Sequence, residues 1–298
     1  MTDTNQPFRL AFTAGMFTEV NENDARAAMK VWIMTVAKER NIPVDADPHI
    51  CPTVDGLIQL CRTNPVDGFG LLTPEYARLT NEMGFDRFAA GTQAGSIQEE
   101  YVILVRQGRG VERLEQLEGR TLNVLHSPRM SLALIWLDTL LLEARQKRAA
   151  EFFGRVSLIP KASKVALPVF FGQIDACLLT RRSLAVMGEL NPQIGKQLRV
   201  LAHSPAVVPA GFAFRTDYAS PFRAQILAEM AQLGESPAGQ QILALTQAER
   251  LEDHPVSCLN SGLELLAKHQ RLCAGINQTA APKLTGSAGS LGKEGNPP

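Results

Sequence analysis

The segment His126–Ser131, HSPRMS, places a Ser-Pro pair and an arginine between the apolar run TLNVL and the apolar stretch LALIWLDTLL. A helix start carries unpaired N–H groups and partial positive charge. Ser127 and Ser131 suit that end as hydroxyls, and Pro128 suits the first helical position. Arg129 suits it only if something negative lies beside it. Two readings stand for this arginine. Its long stem carries the charge out to solvent, or its guanidinium pairs with a carboxylate or an oxyanion in bidentate geometry. Two other segments have the same form. FGLLTPEYARL opens a helix at Thr73 and Pro74, and LLTRRSLA opens one at Thr180, with Arg181 and Arg182 beyond. Ligands of open α/β sheets sit beyond the carboxyl ends of parallel strands, and helix N-termini favour anions. Each turn alone is ordinary capping; three in one chain point to an anion cleft.

Catalytic motifs are absent from the sequence. None of the five histidines lies in HExxH, and there is no GxSxG elbow and no GxxxxGK[ST] phosphate loop. The five cysteines, at 51, 61, 177, 258 and 273, form no CxxC pair. No catalytic residue, metal site or cofactor is expected.

The elements that must position these turns alternate between strand-like and helix-like patterns. FRLAFTAG reads as a strand ending at Gly15, and NENDARAAMKVWIMTVAKER as a helix. VDGFGLL, FDRFAAGTQ, EEYVILVRQG, TLNVL, VSLIP and IDACLLT read as further extended runs, and PVDADPHICP as irregular. KVALPVFFGQ is helical in pattern, and Asp175 reads as a capping or packing residue. Helices are expected near Pro221–Leu233, Pro237–Leu245 and Ser257–Leu272. This alternation predicts α/β architecture with mainly parallel sheet. After about Gln278 the composition turns to Gly, Ser, Pro and Lys, which predicts a disordered tail.

The chain has 298 residues, with Lys plus Arg equal to Asp plus Glu at 30 each. That balance argues against a general nucleic-acid binder. The most apolar helix, around Leu132–Leu142, contains Asp138 and is too short to span a bilayer, so no membrane insertion is expected. The amino terminus has no basic region followed by an apolar one. Either the protein is cytoplasmic, or it is periplasmic and its signal was removed ahead of this numbering.

PVDGFGLLTPEYARL, EEYVILVRQGRGVERLEQLEGRTLNVL and KVALPVFFGQIDACLLTRRSL occur in the order and spacing of three segments of another family. In that succession, over roughly Phe8–Leu272, the chain resembles the phosphate/phosphonate-type substrate-binding proteins of ABC transporters. The resemblance implies a type II periplasmic-binding-protein fold, with two α/β lobes and two hinge crossings. The first lobe is expected over 1–95 and 206–278, the second over 96–205, and the tail over 279–298. The hinge is expected near 91–98 and 204–211. The resemblance also implies a small oxyanionic ligand in the cleft, no cofactor, and an ABC permease as partner of a monomer. Where the family holds its anion on small hydroxyl residues, this chain keeps Ser127 and Ser131, but Pro128 lacks a donor and Arg129 adds a charge. Tyr76 takes the family's aromatic position, Phe17 follows the first strand, and Thr180 stands near an acidic or polar position of the family. The expected ligand-binding set is Phe17, Tyr76, Ser127, Arg129, Ser131 and Thr180. Two alternatives remain at this stage: a ligand-sensing module working with a kinase, and a cytosolic enzyme on the same fold.

Overall fold

The computed structural model describes residues 7–17, 20–218 and 222–279. The expected tail lies outside the described residues, apart from Thr279.

Two sheets organise the chain. The first contains β1 (Leu10–Thr13), β2 (His49–Cys51), β3 (Gly68–Leu72), β4 (Phe85–Thr92), β10 (Ala210–Arg215) and β11 (Arg250–Pro255), in spatial order β11-β4-β10-β3-β1-β2. The second contains β5 (Tyr101–Arg106), β6 (Thr121–Leu125), β7 (Arg155–Ile159), β8 (Ala176–Thr180) and β9 (Leu198–His203), in order β7-β6-β8-β5-β9. The chain therefore passes between sheets twice, from β4 to β5 and from β9 to β10. This is the expected two-lobe α/β architecture, but both sheets are mixed rather than mainly parallel, because each strand that follows a crossing runs antiparallel to its neighbours. The crossings are bonded to each other: Glu99 N–H donates to the Val207 carbonyl at 2.7 Å, and Val207 N–H to the Glu99 carbonyl at 2.9 Å.

In the first lobe, β1 runs parallel to β2 and β3, and β10 lies antiparallel between β3 and β4. Strands buried on both faces read as continuous apolar runs. LAFT and FGLL do so because helices cover each side. On one face Phe12, Phe212 and Leu251 pack under α1 (Glu22–Arg40), α9 (Arg223–Ala231) and α10 (Pro237–Leu245). On the other, Phe69, Leu71 and Phe88 pack under α2 (Val54–Thr63) and α3 (Thr73–Leu79).

In the second lobe, β6 is parallel to β7 and β8, while β5 is antiparallel to β8 and β9. Its core joins Tyr101 to Val105 with apolar residues of α4 (Ala133–Arg145), α5 (Ala149–Phe152), α6 (Ala162–Phe170), α7 (Arg181–Leu190) and α8 (Pro192–Gln197). Pro168 lies inside α6, in its last turn, and forfeits the bond that an N–H there would donate to the Lys164 carbonyl. The last helix, α11 (Asn260–Thr279), touches both lobes: it packs on α4 and on α3, and its Leu265 and Leu266 enter the second-lobe core.

Two strands differ from the sequence reading. β2 stands inside the stretch read as irregular, and β11 has the sequence RLEDHP, without apolar alternation. Both are sheet edges, where one side of the ladder and much of the surface remain open. β11 is fastened by ion pairing as well as by its ladder: Arg87 of β4 pairs with Asp253.

Candidate functional site

The carboxyl ends of β1 and β6 face each other between the lobes. β1 runs into a tight turn, Ala14–Phe17, and β6 leads through His126 and Ser127 into another, Pro128–Met130. The two turns touch. Ser127 is extended, and Pro128 begins the turn with its fixed φ and no donor to lose. The turn is fastened from below: the buried Tyr101 hydroxyl donates to the Arg129 carbonyl at 3.1 Å.

Arg129 is buried, which removes the reading of a stem reaching for solvent. Its Nη1 pairs with Glu99 Oε1 at 3.0 Å, and the two side chains are only 8% and 5% exposed. Nε and Nη2 donate to the Gln247 carbonyl at 3.2 and 3.0 Å, and Nη2 also donates to the Gly91 carbonyl at 3.2 Å. One second-lobe side chain thus holds the first crossing through Glu99, the end of β4 through Gly91, and the segment before β11 through Gln247. Burial pushes the Glu99 carboxyl above the usual carboxylate range, with Arg129 pulling against that shift. Burial likewise lowers the Arg129 pKa, opposed by Glu99. An arginine keeps its proton under such a shift, so the pair is an acid–base contact under tension between desolvation and attraction. A second contact between lobes runs nearby: Arg182 of α7 pairs with Glu249 at 3.0 Å, and Glu249 also accepts from Ala94 N–H at 2.9 Å.

Beside this clasp lies a cavity of about 20 Å³, walled by Met16, Gly91, Phe212 and Leu251 of the first lobe and Pro128 and Arg129 of the second, with Pro209 on the second crossing. Among the described residues on its wall, Arg129 is the only charged one. The volume suits about one water-sized guest in this arrangement of the lobes. A tetrahedral oxyanion requires them to part.

The residues expected at the site are distributed unevenly around it. Ser127 is buried at the start of the turn, and its hydroxyl makes no bond within the turn. Ser131 donates to the Pro209 carbonyl at 2.6 Å, so its hydroxyl fastens the second lobe to the returning crossing. Phe17 belongs to the turn that meets Arg129, with its ring 5.6 Å from Phe12 in the first-lobe core. Thr180 caps α7, accepting from Ser183 N–H at 3.1 Å. Tyr76 is buried against Phe85 and Phe88, ring centroids 5.3 and 5.7 Å away, which places it in the first-lobe core rather than on the cavity wall. Thr73 starts α3 itself while Leu72 takes the capping position, and the Thr73 hydroxyl donates to the Val208 carbonyl at 2.6 Å.

Sequence reasoning missed Glu99, Gly91 and Gln247, none of which carries a local motif. It also missed Glu75. This carboxylate accepts from the Thr13 hydroxyl at the end of β1 and from Leu72 N–H at 2.9 Å, closing the start of α3. Burial raises its pKa, against both hydrogen bonds. The signal available was a glutamate three residues beyond the capping position.

The model of a family described as the phosphonate ABC-transporter periplasmic substrate-binding proteins matches residues 14–254. No match is found among curated proteins. The fold is similar to a binding-protein component of an ABC phosphonate transporter from Pseudomonas aeruginosa, with 15% identity, 91% of this chain and 89% of that one covered, and a TM-score of 0.58. It is similar also to PhnD1 from Prochlorococcus marinus, solved with methylphosphonate, at 12% identity, 91% and 99% coverage, and a TM-score of 0.56. A Xanthomonas citri protein solved with ATP gives 15% identity, 90% and 99% coverage, and a TM-score of 0.61. The chain belongs to the phosphonate ABC-transporter periplasmic substrate-binding protein family and has its two-lobe type II fold.

Proposed function

We propose that this member of the family captures a small oxyanionic solute, of phosphonate or phosphate-ester class, between its lobes and presents it to an ABC permease. The observation that carries the reading is the placement of Arg129, the charged group on the wall of the interlobe cavity. Four of its five N–H donors have acceptors within the protein. The remaining Nη1 hydrogen and the Ser127 hydroxyl are the second-lobe donors for the solute, and the turn bearing Met16 and Phe17 closes over it from the first lobe. Ser131 holds the second-lobe turn in place, Thr180 caps α7, and Tyr76 anchors α3.

Glu99 already balances the charge of Arg129, so the solute is held by directed donors more than by net charge. The solute favours the arrangement of the lobes in which both contact it, slightly more open than the one in this structure. No helix among the described residues is long and apolar enough to cross a membrane. The protein acts as a monomeric carrier in the periplasm, after export, and performs no catalysis.

Titration calorimetry with methylphosphonate, inorganic phosphate, sulfate and a phosphate monoester tests the reading. At least one should bind saturably at one site per chain and raise the melting temperature. Absence of heat and of any thermal shift across the panel sinks it.

A further inference from the structure

The end of the second lobe opposite the cleft contains a larger cavity, about 40 Å³, and its wall is basic. Arg106 ends β5, Arg109 lies in the turn that follows, and Arg120 immediately precedes β6. All three line the cavity, with Asp175 as its one carboxylate. That carboxylate is committed to Thr121 and Arg120: one oxygen accepts from Thr121 N–H and hydroxyl at 3.0 and 2.7 Å, and the other meets Arg120 at 3.3 Å, so it balances Arg120 and leaves Arg106 and Arg109 uncompensated. Among the described residues, neither Arg106 nor Arg109 has an ion-pair partner, and Arg109 donates only to the Gly172 carbonyl, at 3.2 Å.

The two guanidinium groups converge. A Cβ at Gly172 would sit 2.1 Å from Nη2 of Arg109 and 2.9 Å from Nη1 of Arg106. Gly172 has a φ of +74°, and that backbone conformation is what calls for glycine there. Two like charges drawn over one backbone point repel unless an anion lies between them, and planar forks of N–H donors match the geometry of a phosphoryl group. Next to this point Phe171 is 62% exposed.

We propose that Arg106 and Arg109, with Arg120 at the rim, form a second binding site for a phosphoryl oxyanion, remote from the interlobe cleft and independent of the solute carried there. The oxyanion comes either as free phosphate or as the phosphodiester of an anionic lipid headgroup, beside which Phe171 would enter the interface.

The test uses the whole chain, its arginine Nε–H resonances recorded by NMR during titration with inorganic phosphate, and chloride at matched ionic strength as control. Phosphate should shift the Arg106 and Arg109 signals saturably, and chloride should not. The double variant Arg106→Gln/Arg109→Gln should keep its melting temperature and its cleft affinity for methylphosphonate while phosphate affinity at the second site falls at least tenfold. Sedimentation with phosphatidylglycerol vesicles, absent with phosphatidylcholine and lost in the double variant, identifies the lipid as source. Saturable phosphate shifts without sedimentation identify the free ion. Equal shifts with chloride and phosphate and no sedimentation, or undiminished phosphate and vesicle binding by the folded double variant, overturn the proposal.

Discussion

Replacing Glu99 with glutamine isolates the charge of the interlobe clasp from its shape. The amide oxygen of Glu99→Gln can still accept from Arg129 Nη1, at the position where the carboxylate accepts at 3.0 Å. Only the negative charge is lost. For folding, the loss of attraction is on the order of 4 kcal/mol at an effective dielectric near 20. It is offset by removing a carboxylate whose own burial is penalised by several kcal/mol, so net stability should change by about 2 kcal/mol or less. For binding, no such offset exists. An oxyanion seated about 6 Å from Glu99 is repelled by roughly 2–3 kcal/mol at the same dielectric, and the glutamine variant relieves this. Affinity for methylphosphonate or phosphate should therefore rise roughly 30- to 140-fold, with a steeper dependence on salt. Titration calorimetry at two ionic strengths reads both effects, and a denaturant melt checks the fold. A folded Glu99→Gln protein whose anion affinity is unchanged or weaker would refute the placement of the ligand beside Arg129.

The opposite perturbation, Arg129→Met, leaves Glu99 buried without its partner and should destabilise the protein by about 3–5 kcal/mol near neutral pH. The folded pKa of Glu99, already raised, rises further in this variant; protonation then contributes stability that is complete below the unfolded value and is lost as pH climbs through the folded one. Urea melts should show the deficit largest near pH 7.5 and shrinking towards pH 5; a deficit independent of pH would deny that Glu99 bears the strain. Thr180→Ala removes the hydroxyl that caps α7 and should lower stability by about 1 kcal/mol, with Thr180→Ser restoring it and ligand affinity unchanged in both. Burial pushes the Tyr76 hydroxyl up to about 12, and its ring packs in the core, so Tyr76→Phe should leave ligand affinity within about twofold. A tenfold loss would put the hydroxyl on the ligand instead.

The sequence made the alternation of strands and helices legible, and the family likeness supplied the two-lobe fold. β1, β3, β5, β6 and β8 are apolar runs bounded by turn residues, which is how doubly covered strands read. β2 and β11 escaped because an edge strand answers to its neighbour's ladder more than to its own pattern. At the site, the positions of the binding turns could be read and the duties of their side chains could not. Arg129 finds Glu99 30 residues away and Gln247 118 residues away, separations across which no local spacing informs. Tyr76 stands three residues before Leu79 on the same helix face, a core signal that the family likeness outweighed. Ser131 was read as a hydroxyl for the ligand, and its acceptor on the second crossing is visible only once the chain is folded.

α11 gives the pivot a third restraint. Gly262 near its start has a place for a Cβ only 3.0 Å from Leu132 of the second lobe and 3.2 Å from Thr73 of the first, so the helix threads the seam with no slack. Further along, Lys268 is paired with Glu143 of α4 at 2.8 Å. Two flexible strands alone would let the lobes swing like a door. A rigid rod lying over both turns the swing into a slide, in which opening must shear α11 past α3 while it stays seated on α4. The gap through which a solute enters is then set by how far a helix can slip before its side chains must change grooves.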